Sequence, residues 1–211
     1  MKTTIAALAL IGTAGVASAQ LTNADFESGV LFASLDGWEP NGAQADHANF
    51  SRPNNGTLGA FFGYYSAGFS ATGGTEFVGQ LSSLTFQANG DYNFAAWLND
   101  GGSIGATAAL QIGYLTDDSD DSTFVLLAEA TYSWDDFSDP DWVDFGGVTY
   151  STGAAGAELG QGVYVRFAGV QGQDFNDVWF DNASLTASVI PAPGTVGLAA
   201  AGGLLALRRR R

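Results

Sequence analysis

Between Gln20 and Ser188 the apolar residues recur at every second position, in short runs broken by glycine and by Asp/Asn clusters. A period of two places alternate side chains on one face of a strand, so such runs fold as half-buried β-structure and not as helix. Nine runs carry the pattern: Thr22–Glu27, Thr57–Tyr65, Thr75–Leu84, Tyr92–Asn99, Ala106–Thr116, Ser122–Tyr132, Trp142–Tyr150, Gly162–Val170 and Asp177–Ala187. Turn signals stand between them at Asn54-Asn55-Gly56, Asn89-Gly90-Asp91, Asp100-Gly101-Gly102 and Asp117 to Asp121. Many short strands at this spacing predict an all-β chain, folded as a single antiparallel β-sandwich or barrel.

Two segments fall outside the pattern. At the N-terminus Lys2 precedes an apolar stretch from Ile5 to Val16, and Ala17-Ser18-Ala19 follows as an A-x-A site. That order of parts predicts a signal peptide over residues 1–19, cut at Ala17 and Ala19. At the other end, residues 189–211 hold Pro191-Ala192-Pro193-Gly194, an apolar run from Thr195 to Leu207, and then Arg208, Arg209, Arg210 and Arg211. The run reads as a short apolar helix of 13 residues, whereas a stable membrane span takes about 20. A basic block beyond it would stay in the cytoplasm. The protein is therefore expected to meet the membrane at least transiently, through a short anchor or a processed one. A body over 20–188 is left, long enough for one domain with a core.

That body is strongly acidic. Of seven basic residues only Arg52 and Arg166 lie within it, against all 22 Asp and Glu, for a formal charge of −20. Nucleic acid is excluded as a partner, since nothing could neutralise its phosphates. Much of the charge is expected to serve solubility outside the cell. With no cysteine in the chain, disulfides, thiol chemistry and Cys-zinc sites are ruled out.

The tail resembles the PEP-CTERM sorting signal of exported bacterial proteins, in which a Pro-Glu-Pro-like motif, an apolar helix and an Arg-rich end follow one another. Ala192 replaces the usual central glutamate. The resemblance implies an exosortase-like processing enzyme as a partner and a place in the cell envelope or extracellular matrix; an ordinary C-terminal anchor is the other reading.

The body carries a second resemblance. Asn23-Ala24-Asp25-Phe26-Glu27-Ser28-Gly29 and Gly37-Trp38 open it, and Val178-Trp179-Phe180-Asp181-Asn182-Ala183-Ser184-Leu185 closes it. Between them Val78-Gly79-Gln80-Leu81 leads through Asn89-Gly90-Asp91-Tyr92 into Phe94-Ala95-Ala96-Trp97. The ordered set is similar to the galactose-binding-domain-like jelly rolls found among carbohydrate-binding modules. It implies a jelly-roll sandwich, a polysaccharide as partner, and one structural Ca²⁺ held by Glu27 and Asp181 where the opening and closing strands meet. No organic cofactor is implied. Calcium takes six to eight oxygens, with carbonyls supplementing carboxylates; a turn-capping aspartate without metal is the alternative. Alternation also slips near Asp181, with Val178 and Phe180 in one phase and Ala183 and Leu185 in the other. Such a slip predicts a β-bulge.

Alternation also sorts the ligand-binding candidates. Tyr92, Phe94, Ala96 and Leu98 form an inward set, which turns Trp97 outward with Asn93 and Asn99. By the same rule Gln111 faces away from Leu110 and Ile112, and Tyr164 and Arg166 face away from Val163, Val165 and Phe167. A face carrying Trp97, Gln111, Tyr164 and Arg166 would suit a glycan, by ring stacking and hydroxyl hydrogen bonds. Packing of Trp97 under a loop and pairing of Arg166 with an acid is the competing reading. Trp38, Tyr64 and Tyr65 are secondary candidates. The acidic loop from Asp117 to Asp121 lacks the glycine and distal glutamate of an EF-hand and reads as a solvated hairpin turn.

Catalysis has little support, with His47 the one histidine, and no catalytic residue is assigned. The expectation is a non-catalytic, exported protein that binds extracellular polysaccharide. A structural surface protein without a discrete ligand and a small glycan-active hydrolase are the alternatives.

Overall fold

The computed structural model describes residues 15–19, 21–26, 29–30, 34–35, 37–40, 48–53, 65–71, 76–99, 107–133, 143–170 and 176–189. Among them the chain is strand and turn, with a single 3-10 turn at Asp121–Thr123. The early strands are β1 (Gly15–Ala19), β2 (Gly29–Val30), β3 (Ser34–Leu35), β4 (Glu39–Pro40), β5 (Ala48–Pro53) and β6 (Tyr65–Ala71). Then come β7 (Glu76–Thr85), β8 (Gly90–Asn99), β9 (Thr107–Leu115) and β10 (Phe124–Ser133). β11 (Val143–Asp144), β12 (Val148–Ser151), β13 (Gly162–Val170) and β14 (Asn176–Val189) complete the series.

These strands build two antiparallel sheets. One runs β11-β8-β14-β6-β5, with β1 beside β14 and β12 beside β8; the other runs β10-β9-β13-β7-β4. A separate short pair joins β2 to β3. The inward set on β8 is the expected one: Tyr92, Phe94, Ala96 and Leu98 are all buried. They meet Val78, Leu110, Ile112, Val163, Val165 and Phe167 of the facing sheet in one core. At its centre Phe167 lies flat on Phe180, ring centres 4.0 Å apart and planes 11° apart. The fold is the β-sandwich that the period of two demands.

Strand β13 has the expected bounds, and β7, β8, β9, β10 and β14 differ from expectation by a residue or two. Thr22–Glu27 was expected to be a strand, but Thr22–Asp25 is a turn. Asn23 and Phe26 both hold positive φ, 51° and 55°, a left-handed backbone that breaks a regular strand ladder. The Phe26 amide donates to the Asn23 carbonyl at 3.1 Å. Trp142–Tyr150 likewise divides into β11 and β12, because Gly146 and Gly147 take φ of 68° and 90°. At Gly147 a Cβ would stand 2.5 Å from the Phe94 carbonyl oxygen, so only glycine lets the chain press against β8 there.

The expected cleavage residues Ala17 and Ala19 lie on β1, opposite Ala187 and Leu185 of β14. Residues 57–64 of the expected strand Thr57–Tyr65, and the whole tail with Pro191, Ala192, Pro193 and Arg208 to Arg211, lie outside the described residues. No helix among the described residues is long and apolar enough to cross a membrane.

A candidate ligand-binding face

Outward-facing positions on the five-stranded sheet gather three of the four expected ligand-binding residues. Register sets Glu129 of β10 opposite Gln111 of β9, and Gln111 opposite Arg166 of β13. The three side chains join in one hydrogen-bonded row. Arg166 Nε donates to Gln111 Oε1, and Gln111 Nε2 donates to Glu129 Oε2. The guanidinium is also clamped between two rings, its central carbon 4.4 Å from the Phe77 centroid and 3.8 Å from that of Phe124. Stacking of this kind is favourable to a guanidinium and fixes its plane. Burial pulls the Arg166 pKa down, and Tyr164, Asp121 and Glu129 act electrostatically against that pull. Among the described residues no carboxylate comes within ion-pair distance of Arg166, and Nε is its hydrogen-bonding atom.

Tyr164, two residues earlier on β13, is 2 % exposed. Its ring lies across β7, where Gly79 leaves the room: a Cβ at that position would stand 2.1 Å from the Tyr164 hydroxyl oxygen. Phe124 packs on its other side, centroids 5.6 Å apart. Beyond Tyr164 the face opens into a cleft of about 650 Å³ between the β9–β10 turn and the opening segment. Leu81, Leu115 and Gln80 line it, with Asp118, Ser119, Asp120 and Asp121 as its acidic wall.

That wall is the hairpin turn expected from the sequence. Asp117 accepts from the Ser119 hydroxyl at 2.6 Å and from its amide at 3.0 Å, which holds the Asp117 carboxyl below its usual pKa. Asp120 caps the 3-10 turn through the Ser122 amide. Asp121 moves the other way: burial raises its pKa, Asp120 adds to the rise, and Arg166 opposes it.

Trp97 does not join this face. It is outward-facing as expected and half-buried, but β8 belongs to the seven-stranded sheet, where Trp97 stands opposite Asp144 and Asp181. The outer faces of a sandwich look in opposite directions, so the expected four-residue face divides into Gln111, Tyr164 and Arg166 on one side and Trp97 on the other. Period-two alternation sorts inside from outside and carries no information on which sheet a strand joins. Farther along the seven-stranded sheet Asp91, Asn93, Thr149, Ser151 and Thr186, with Tyr92 and Ala187, line a shallow depression of about 470 Å³. Trp38, a secondary candidate, is in the core against Phe26 and Phe167. Tyr64 lies outside the described residues.

The expected bulge is present. Register between β14 and β8 shifts between Asp181 and Ser184, with Asn182 at φ 48°. Asp181 is wholly buried there and its carboxylate accepts the Asn182 amide at 2.6 Å. The opening and closing segments do meet at this point, through an Ala183 amide to Ala24 carbonyl bond of 2.8 Å and through Phe26 against Phe180. Glu27, the other expected calcium ligand, lies outside the described residues. Among the described residues no three His, Cys, Asp or Glu side chains cluster as a metal site would require.

Glu129, Phe77 and Phe124 are the parts of the face that strand-by-strand reading missed. Phe77 and Phe124 reach Arg166 from other strands, Glu129 reaches it through Gln111, and only register brings them together. A basic residue set in an acidic body was the available signal.

No protein-family model matches the chain, and no curated protein matches it significantly. Solved structures do. A cyclase from Fischerella sp. TAU, in complex with 4-(1H-indol-3-yl)butan-2-one, has a TM-score of 0.67 at 18% identity, covering 83% of this chain and all of that one. TmCBM61 in complex with β-1,4-galactotriose has a TM-score of 0.51 at 15% identity, over 78% of this chain and 95% of that one. The K3 cleaved adhesin domain of Lys-gingipain from Porphyromonas gingivalis has a TM-score of 0.51 at 14% identity, over 82% and 99%. Likeness at such identities is a likeness of fold: the chain is a β-sandwich of the kind that carbohydrate-binding modules, adhesin domains and these cyclases share.

Proposed function

We propose that this is an exported, non-catalytic protein whose sandwich binds extracellular polysaccharide on the outer face of the five-stranded sheet. The observation that carries the reading is the Glu129–Gln111–Arg166 row, pinned between Phe77 and Phe124 and opening past Tyr164 into the cleft. Small-molecule sites combine a few fixed polar groups with apolar walls in this way. Export rests on the signal-like N-terminus, and sorting to the envelope or matrix by an exosortase-like enzyme rests on the order of parts in residues 189–211. One observation favours a structural surface protein instead. The large apolar side chains exposed among the described residues are Leu81 and Leu126, at 39 % and 46 %, so none of them is an aromatic ring ready to stack on a sugar.

Affinity electrophoresis of the full chain against a panel of neutral and acidic polysaccharides separates the two. Retardation by at least one polymer is expected, reduced about tenfold or more in apparent affinity by Gln111→Ala and unchanged by Trp97→Ala on the opposite sheet. A well-folded chain that no polymer retards is a structural protein.

Calcium at Asp181, with Glu27 and carbonyl oxygens, is a further part of the proposal. Millimolar Ca²⁺ over chelator is then expected to raise the melting temperature, since a ligand at about 100 times its Kd adds about 2.7 kcal/mol, and Asp181→Asn is expected to abolish the increment. An identical melt in calcium and in chelator would remove the metal from the account.

A further inference from the structure

Resting on that glycan-binding reading, we infer that Arg166 is a carboxylate receptor, and that the glycan this face selects carries a uronic acid. In a body of net charge −20, a half-buried cation would be expected to collapse onto one of the many acids. Among the described residues it does not. Glu129, at the β10 end of the row, is held off by an intervening neutral amide, and Gln111 takes the single Nε hydrogen. Asp121 acts on Arg166 through space, outside ion-pair distance. Phe77 and Phe124 cover the two faces of the guanidinium. What is left to the solvent is the edge bearing the two terminal nitrogens.

That edge presents parallel N–H bonds in a fixed fork, and its geometric complement is a planar carboxylate bound through both oxygens. The clamp also removes most of the entropy cost of using a long, flexible side chain, because its rotamer is already set by the rings and by Gln111. A neutral sugar hydroxyl pair would accept the same bonds with about half their strength. A terminal phosphate is the poorer fit, because its greater charge would be repelled by Asp121, which acts on Arg166 through space, and by the acidic turn to which Asp121 belongs. The same turn disfavours a densely charged polymer. The ligand that suits both features is a mostly neutral glycan with isolated uronates.

The test is isothermal titration of the full chain with a glucuronate-bearing trisaccharide and with its methyl ester, which differ only in the charge of one group. Arg166→Lys keeps the charge and loses the fork; Arg166→Met keeps the stem and loses both. The acid is expected to bind at least tenfold more tightly than the ester, with the preference reduced in Arg166→Lys and abolished in Arg166→Met. Both variants are first shown by thermal melting to be folded. Between 0.01 and 0.15 M salt the Debye length falls from about 30 Å to about 8 Å. The acid's affinity should then hold or rise, because screening removes the long-range repulsion of the body while leaving the half-buried contact. Equal binding of acid and ester, or a preference that survives in Arg166→Met, overturns the inference and leaves glycan binding in place. Binding of neither compound here, together with no retardation by any polysaccharide in the panel, overturns both.

Discussion

Phe167→Ala is expected to destabilise the domain by about 3–5 kcal/mol, the range for a phenylalanine removed from a packed core. Its ring is the one that touches everything. It stacks flat on Phe180 of the facing sheet, lies 5.0 Å from Phe94 and 5.4 Å from Trp38, and meets Phe26 edge-on at 6.3 Å. One side chain thus ties β13 to both β8 and β14 across the sandwich and to the opening segment as well. Since domains of this size are stable by about 5–15 kcal/mol, the loss takes up a large share of the total. Urea unfolding followed by tryptophan fluorescence measures it, with Phe167→Leu as the control for volume. A cost near 1 kcal/mol for the alanine variant would mean that the two sheets do not close on this ring.

Gln80→Leu should cost about 2–4 kcal/mol, although it introduces an apolar side chain at a buried position. Gln80 is 4 % exposed on the inward side of β7 and behaves as a piece of backbone. Its Oε1 accepts the Thr22 amide at 2.7 Å, and its Nε2 donates to the Thr22 carbonyl at 2.9 Å and the Gly37 carbonyl at 2.7 Å. A turn that cannot pair as a strand is held to β7 by one side-chain amide. Leucine leaves those three backbone groups unsatisfied, and each buried orphan costs about 1–3 kcal/mol, less where water can enter. Hydrogen exchange checks the mechanism as well as the size: the Thr22 amide should lose protection first. Gln87→Leu, at an exposed position of the next turn, should stay within about 0.5 kcal/mol of the parent.

Much of the sandwich is legible in the chain because its causes are local. Tyr92, Phe94, Ala96 and Leu98 alternate in sequence and are buried in space, and the phase slip around Asp181 marks a real shift of register. What escapes reading has causes that are not local. The turn at Thr22–Asp25 depends on left-handed Asn23 and Phe26, and phenylalanine at such a φ has no signature in sequence. Gln80 looks like an interruption of an apolar set until Thr22 and Gly37 are placed against it. The division of Trp97 from Arg166 follows from the order of strands in the sheets, which the outward phase of each residue does not encode. At the candidate site, sequence identifies Gln111, Tyr164 and Arg166 as outward-facing, and register supplies Glu129, Phe77 and Phe124.

The position of β13 and β14 has a consequence for how the chain acquires this shape. β14 is the seam of its sheet, with β8 on one side and β6 and β1 on the other; β13 is the seam of the second sheet, between β9 and β7. Before residue 162 the described strands can form only detached pieces: the β2–β3, β5–β6 and β9–β10 pairs, β4 with β7, and β8 with β11 and β12. Hairpins of that size are marginal by themselves in water, and pairings between distant segments form slowly. Almost the whole length must therefore be available before cooperative structure can set in. A polypeptide with this timetable stays threadable until late, as passage through a narrow translocation pore requires.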